Sequence, residues 1–490
     1  MDWKSSRRRR HAPFIQPDRP SRDTLRHRGS LRDLLLRAPQ LREIACATPI
    51  QSAAVMPLAL AVLHRVFGPA SLAEWKALWD ARAFDMAPID AYFALRHERF
   101  DLFHPERPFY QALDERVKPK SLIHLVHSKG NTGTLFTHET DEDGMEATPA
   151  EAARLLITSR LFRTCGTGPF IDGKRVQFRD SPFTRGVICW AQGSTLYDTL
   201  RLNLMLRAGE HPLPNSDKDA PAWEMDDPFA VRSRPLGYLD YLTWSNNRIQ
   251  LIPCSNGVSP TVREATVGFA QQLDEKVKSP QKCYIANEKH GNVTGDRLDF
   301  NEQKALWRDY RSFLLQTHKE DYPPSVIVAW LSTLVQFRLL PRDYPLRLMA
   351  TGMLANKAAV IFYREEILPL PLEILRDAEH IADIGDALKQ AEDIAGALDK
   401  ALNTLARHIL LPGASGKTSK IDREGLIQNW RARERYWSEL ESSFRPFLND
   451  LISDSDKALS DWTIRRQDGP AAVPRHLKAA SSQSVTCDAR

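Results

Sequence analysis

FDLFHPERPFYQ, residues 100–111, decides how the chain divides. Four aromatics, two prolines and one histidine fall within twelve residues, with no glycine among them. Each proline removes a backbone donor and clashes one turn back, which excludes the stretch from a helix interior. The aromatic rings favour burial. A packed, non-helical segment is therefore expected, closing a helical start and opening a strand-bearing middle. No partner constellation surrounds His104, so it is expected to be structural.

On the N-terminal side, SLRDLLLRAPQLREIA opens at Ser30, a good helix cap before an apolar run. Thr48–Gly68 is the most apolar stretch, but Gln51, Ser52 and Pro57 interrupt it. It is expected to be a buried core helix rather than a membrane span. SLAEWKALWDAR is a third helix, with Ser71 as its cap. On the C-terminal side, between about 121 and 300, short apolar runs alternate with turn residues: SLIHLVHS, GVICWAQG, YLTWSNNRIQLIP and KCYIAN. These predict strands, with helices at 149–162 and near 196–206 between them. Helices are expected again at 301–318 and 324–339. PLRLMATGM and AAVIFYREE then form a hairpin around LANK, residues 354–357.

From Leu370 the pattern is purely helical. Ile374, Ile381, Ile384, Leu388, Ala391, Ala395, Leu398, Leu402, Leu405 and Ile409 fall on one face. A second long helix is expected from about Arg423, with Pro446 as a kink. Neither stripe can be buried alone, so a bundle is implied. The chain thus reads as α+β: a large mixed N-terminal domain with long loops over 30–368, then a C-terminal helical, four-helix bundle over 369–465. Residues 1–29 form a basic start, RRRR among them, and 466–490 a tail of disorder-promoting composition.

The 490 residues carry 42% hydrophobic and 26% charged side chains, the balance of a soluble globular protein. The net charge of +5 permits nucleic-acid contact without demanding it. No apolar region follows the arginine-rich start, so no export signal is expected there. The six cysteines are dispersed without a C-x-x-C pair, which argues against a zinc site and for a reducing cytoplasm. GASGKT at 413–418 resembles half a phosphate-binding loop. The glycine the full motif requires is replaced by Leu411, and the stretch lies between helices. HETDED at 138–143 lacks a second cluster that would complete a metal site. No metal and no cofactor are expected, and the chain is read as no enzyme.

Three stretches could still form one glycine-lined, basic surface. RTCGTGPF sets Gly166 and Gly168 around Thr167, where a backbone can approach a ligand closely. NEKHGNVTGDR carries Lys289 and His290 at a turn. LANK carries Asn356 and Lys357 at a hairpin tip.

Taken in order, these stretches resemble the CasA family, the large subunit of the type I-E CRISPR surveillance complex, Cascade. FDLFHPERPFYQ is similar to that family's F-x-L-x-x-x-x-x-P-F-x-Q signature. KGNTGTLF at 129–136, GSTLYDTLRLNLM, YLTWSNNRIQLIP and the long helices after Leu370 follow in the family's order, so the likeness spans about 30–451. The start MDWKSSRRRRHAPFIQPDRP departs from the family's usual Trp-Ile-Pro-like opening strand.

The resemblance implies recognition of the PAM, the short motif beside the target, from the minor groove of double-stranded DNA. It assigns Gly166, Thr167 and Gly168 to a glycine loop and Lys289 to a lysine contact, with His290 as the competing alignment. Asn356 and Lys357 fall on the strand-separating wedge, where glutamine is frequent and this chain has lysine. Asn131, Thr132 and Phe136 fall on a loop that contacts neighbouring subunits or the guide. The implied partners are the backbone and small subunits, CRISPR RNA, target duplex and a helicase–nuclease, in the cytoplasm and without a membrane. Two other readings account for part of the sequence. One is a helical-bundle nucleic-acid-binding scaffold outside CRISPR. The other is an enzyme built on His104, His127 and His138 with the acids near Asp141.

Overall fold

Short polar side chains set the helix starts. Ser30 caps α1 (Leu31–Arg37) and Thr48 caps α2 (Pro49–Val66). Ser71 and Asp85 cap α3 (Leu72–Asp80) and α4 (Met86–Leu95). Thr148 and Thr195 cap α5 (Pro149–Phe162) and α6 (Leu196–Leu202). At Ser30, Thr148 and Thr195 an acid at the third helical position returns the hydrogen bond, so two otherwise orphaned donors are satisfied. The computed structural model describes residues 30–127, 144–207, 213–230, 232–255, 260–270, 272–289, 292–314, 325–341, 343–356, 359–411, 418–454, 457–459 and 461–462.

The remaining helices are α7 (Tyr238–Leu242), α8 (Val326–Gln336), α9 (Ala378–Leu410), α10 (Lys420–Trp430) and α11 (Ala432–Ser453). The strands are β1 (Lys120–Ser121), β2 (Gly166–Ile171), β3 (Lys174–Phe178), β4 (Ile188–Gln192), β5 (Asn247–Ser255), β6 (Pro260–Phe269), β7 (Tyr284–Lys289), β8 (Asn292–Arg297), β9 (Arg347–Asn356) and β10 (Ala359–Pro369). All pairings are antiparallel. One sheet runs β1–β6–β5 and another β10–β9–β4, while β2–β3 and β7–β8 are two-stranded hairpins. This is the expected α+β architecture with a helical C-terminal part.

Helix α2 lies at the centre, buried from Ala53 to His64 except at Val55. By length and composition α2 could cross a membrane, the one described helix that could. Its burial within the protein assigns it to the core. One contiguous core joins α2, α5, β4, β9 and α8 to Ile381, Ile384, Leu388, Tyr436 and Phe444 of the C-terminal helices. A second, smaller core lies between α5 and the β1–β6–β5 sheet.

The segment at 100–111 is packed and non-helical beyond Phe100, as expected. The Phe100 and Phe109 rings stack at 5.4 Å, and Trp223 packs against both. The Gln111 amide donates to the Leu102 carbonyl at 2.7 Å and accepts from the Leu251 N–H at 2.7 Å, clipping the segment onto β5. Arg160, fully buried on α5, donates to the Tyr110 and Ile249 carbonyls and to the Ser245 hydroxyl. A buried guanidinium is tolerable only when its donors are taken up in this way. Burial still pushes its pKa down to about 9.

Several sequence expectations need correction. SLIHLVHS is not a strand: two residues pair as β1 and Leu122–Leu125 form a 3-10 turn. The helix expected at 301–318 is a 3-10 stretch, Leu306–Phe313, kinked at Asp309. The helix expected from Arg423 is two helices. Arg431 adopts the left-handed conformation (φ 52°), ending α10 and starting α11. Helix α11 continues through Pro446. Three bundle helices, α9–α11, are described, and Trp462 beyond them packs on Phe447 at 4.7 Å. Residues 1–29 and 466–490 lie outside the described residues.

Candidate nucleic-acid interface

Two of the three stretches singled out above are rooted on one strand. β4 is only five residues long, and every one of them is buried. One side pairs with β9, Ile188 opposite Thr351. The other side takes the base of the β7–β8 hairpin. The Val187 N–H donates to the Leu298 carbonyl at 2.8 Å, Cys189 N–H to the Gln281 carbonyl at 2.8 Å, and Cys283 N–H to the Val187 carbonyl at 3.3 Å. The hairpins ending at Lys289 and Asn356 are therefore rooted on opposite edges of the same strand.

Gly186 makes this junction possible. Its φ of +93° is open to glycine at no steric cost. A side chain there would meet the Arg297 stem at 2.8 Å and the Lys282 stem at 3.2 Å. Gly352 on β9 is tight as well: a Cβ would come within 2.8 Å of the Gly186 carbonyl oxygen and 2.9 Å of the Phe300 ring.

A carboxylate–guanidinium relay ties the glycine stretch to the far end of β9. Asp180 accepts the Cys165 N–H at 2.7 Å, just before β2. Its other oxygen accepts from Arg185 Nε at 3.0 Å, and Arg185 donates onward to the Ala355 carbonyl at 2.6 Å, next to Asn356. Lys282 lies close to this relay. Burial and neighbouring Arg297 push its pKa down to about 7, against the opposing influence of Asp299 and Asp180.

The glycine stretch is not the loop expected from sequence. Gly166–Ile171 is a strand, paired with β3 and bulged between Thr167 and Phe170. Asp172 and Gly173, at φ 51° and 75°, make the two-residue turn whose twist suits a hairpin. Gly168 is required by packing rather than by a positive φ, since a Cβ would meet Val176 and Phe178 at 2.6 Å. Thr167 is exposed.

Of the other expected residues, Asn356 is the exposed last residue of β9, and Lys289 ends β7 opposite Asn292. His290, Lys357, Asn131, Thr132 and Phe136 lie outside the described residues. Sequence reasoning missed Asp180, Arg185, Lys282 and Arg297. The one usable signal was Gly186, directly after Arg185, a glycine in no predicted turn.

The histidines behave structurally where they are described. His104 Nδ1 accepts the N–H groups of Glu106 and Arg107 at 3.3 and 3.1 Å, capping its own turn. Burial and nearby Arg163 hold His127 down to about 4. His138 and Asp141 lie outside the described residues, as does most of GASGKT. Among the described residues, no group of three acids, histidines or cysteines could hold a metal ion. The site offers backbone donors, glycine-permitted close approach and guanidinium groups, which is binding chemistry.

The family model described as CRISPR-associated protein Cse1 matches residues 12–468. CRISPR-associated protein CasA/Cse1 of Thermus thermophilus is 28% identical, over 91% of this chain and 90% of its own. The crystal structure of Thermobifida fusca Cse1 superposes with a TM-score of 0.77 at 23% identity, covering 94% of this chain and 90% of that one. A chain of a CRISPR RNA-guided surveillance complex superposes with a TM-score of 0.71 at 21% identity, over 92% of this chain and 93% of that one.

Proposed function

The chain belongs to the CRISPR-associated Cse1 family, and from that premise we propose that it reads the PAM as the large subunit of an RNA-guided surveillance complex. It binds target duplex from the minor groove and starts strand separation for R-loop formation. Its partners are the guide RNA, the backbone and small subunits and a helicase–nuclease, and it works in the cytoplasm without chemistry of its own. Residues 30–368 carry the DNA-reading part and 369–465 the bundle that meets the other subunits.

One observation carries this reading: the Lys289 and Asn356 hairpins are rooted on opposite edges of β4, and the Asp180–Arg185 relay ties the glycine strand to the Asn356 hairpin. Separate reading elements must keep a fixed spacing to act on one short duplex. The chemistry fits the groove. The minor groove presents mainly acceptors, with one donor added at G·C pairs. Lys289 and His290 supply donors, and the Gly166–Gly168 stretch, with Thr167 exposed, would lay its backbone along the groove. Readout of this kind tolerates several motifs. Asn356 and Lys357 at the hairpin tip would open the first pair, after which guide pairing reads the remainder. The loop with Asn131, Thr132 and Phe136 would meet a neighbouring subunit or the guide.

The test is binding of the assembled complex to target duplexes with a randomised flanking motif, for wild type and Lys289→Ala. Motif-dependent binding that the variant loses is the expected result. Binding indifferent to the motif in the wild type would overturn the reading.

A further inference from the structure

The β2–β3 hairpin has two chemically distinct faces. Residues directly opposite across an antiparallel pair share a face. Thr167 lies opposite Gln177, and Phe170 opposite Arg175. Three steps separate Thr167 from Phe170 on β2, but two separate Gln177 from Arg175 on β3. The bulge absorbs the odd step, so all four residues share one face. All four are exposed, Phe170 by 61%. The other face holds Ile171 and Phe178, both buried, and Phe178 stacks on Phe269 of β6 at 6.2 Å.

The outer face holds a cation on an aromatic platform. The Arg175 guanidinium lies 4.7 Å from the Phe170 ring centre, in cation–π contact. A ring beneath a guanidinium fixes its plane and leaves its edge donors free to meet an anion. Lys174, opposite Ile171 and so on the other face by register, is exposed at the turn. Neither Lys174 nor Arg175 has an ion pair among the described residues. The hairpin's single acid, Asp172, is met by Arg116 at 3.2 Å.

We propose that this outer face and the turn beside it form a second nucleic-acid contact, in which Arg175, stacked on Phe170, and Lys174 at the turn bind the phosphate backbone of the duplex. The proposal rests on the reading above that Gly166–Gly168 meets target DNA, because the same strand continues without interruption into the arm. Its contribution is independent of sequence: phosphate contacts position and base edges specify.

The experiment measures affinity of the assembled complex for target duplex against salt, across the same motif panel, for wild type, Lys174→Ala/Arg175→Ala and Phe170→Ala. The double variant is expected to bind every motif more weakly by a similar factor, keep the motif ranking, and lower the log–log salt slope by about 2, close to one per lost phosphate contact. Phe170→Ala should weaken binding less and keep most of the slope. An unchanged affinity and slope overturns the inference, even where Lys289→Ala still abolishes motif dependence. A double variant that assembles with less guide RNA would move the contact to RNA and also overturn it. A wild type without motif preference whose slope still falls in the double variant would sink the PAM reading and keep this contact. All three side chains are exposed, so an unchanged melting temperature should accompany each variant.

Discussion

The β9–β10 and β2–β3 hairpins are built to different specifications. β9 has ten residues, buried from Leu348 to Met353, and is hydrogen-bonded on both edges, to β10 and to β4. The β2–β3 hairpin has strands of six and five residues, pairs with no third strand among the described residues, and buries one face. The first is part of the core and ends in a candidate wedge. The second is an arm laid on the surface. Elements that must push bases apart need a stiff root, whereas an arm that follows a backbone needs only a stable face. The Asp180–Arg185 relay couples the base of the β2–β3 arm to the turn end of β9.

The two tight glycines give the sharpest test of that contrast. Gly352→Val places atoms against the backbone carbonyl of Gly186, which cannot move without β4. Overpacking of this kind costs about 1–3 kcal/mol or more, and the whole chain should melt at lower temperature. Gly168→Val first meets the side chains of Val176 and Phe178. It should loosen the arm, raising hydrogen exchange over 166–178, with a smaller fall in melting temperature. Equal global destabilisation by the two variants would erase the distinction.

Asp180→Ala should have an intermediate effect. It leaves the Cys165 N–H without its acceptor and frees Arg185 from its carboxylate, at a cost of about 1–3 kcal/mol for the stranded groups. Hydrogen exchange should rise together at the base of β2–β3 and at the turn end of β9. A rise confined to one of them would show that the relay does not couple them.

The last test concerns pH. In the unfolded chain Lys282 holds its proton up to about 10.4, whereas in the fold it releases it near 7. The unfolded state binds more protons between those values, so stability should rise with pH across that window. Lys282→Met should flatten the rise in melting temperature measured from about pH 6 to about pH 10. Parallel curves for wild type and variant would exclude Lys282 as its source.

Much of this architecture is legible in the sequence because local chemistry dictates it. Capping residues mark α1, α2, α3, α5 and α6, and the 3.6-residue stripe marks α9. Proline spacing excludes a helix at 101–111, and turn residues bracket β9–β10. What failed depended on distant partners. The α10–α11 break falls at Arg431, with neither glycine nor proline to announce it. Gly166 and Gly168 look like a loop because glycine is read as flexibility. Here Gly168 is a packing requirement set by Phe178, which is buried against β6. The anchors Asp180 and Arg185 are ordinary surface residue types whose role exists only once β2 and β9 come together. The candidate DNA-contacting positions come from the resemblance to the family's motifs. The relay joining two of them does not.

The bulge in β2 carries one more consequence. Pro169 sits inside it, where its missing N–H breaks no ladder hydrogen bond. A short, exposed, two-stranded arm is otherwise an open template for β-pairing with any neighbouring chain. Kink and proline together blunt that edge, so the arm can stand exposed among closely packed protein chains and resist being stitched into one of them.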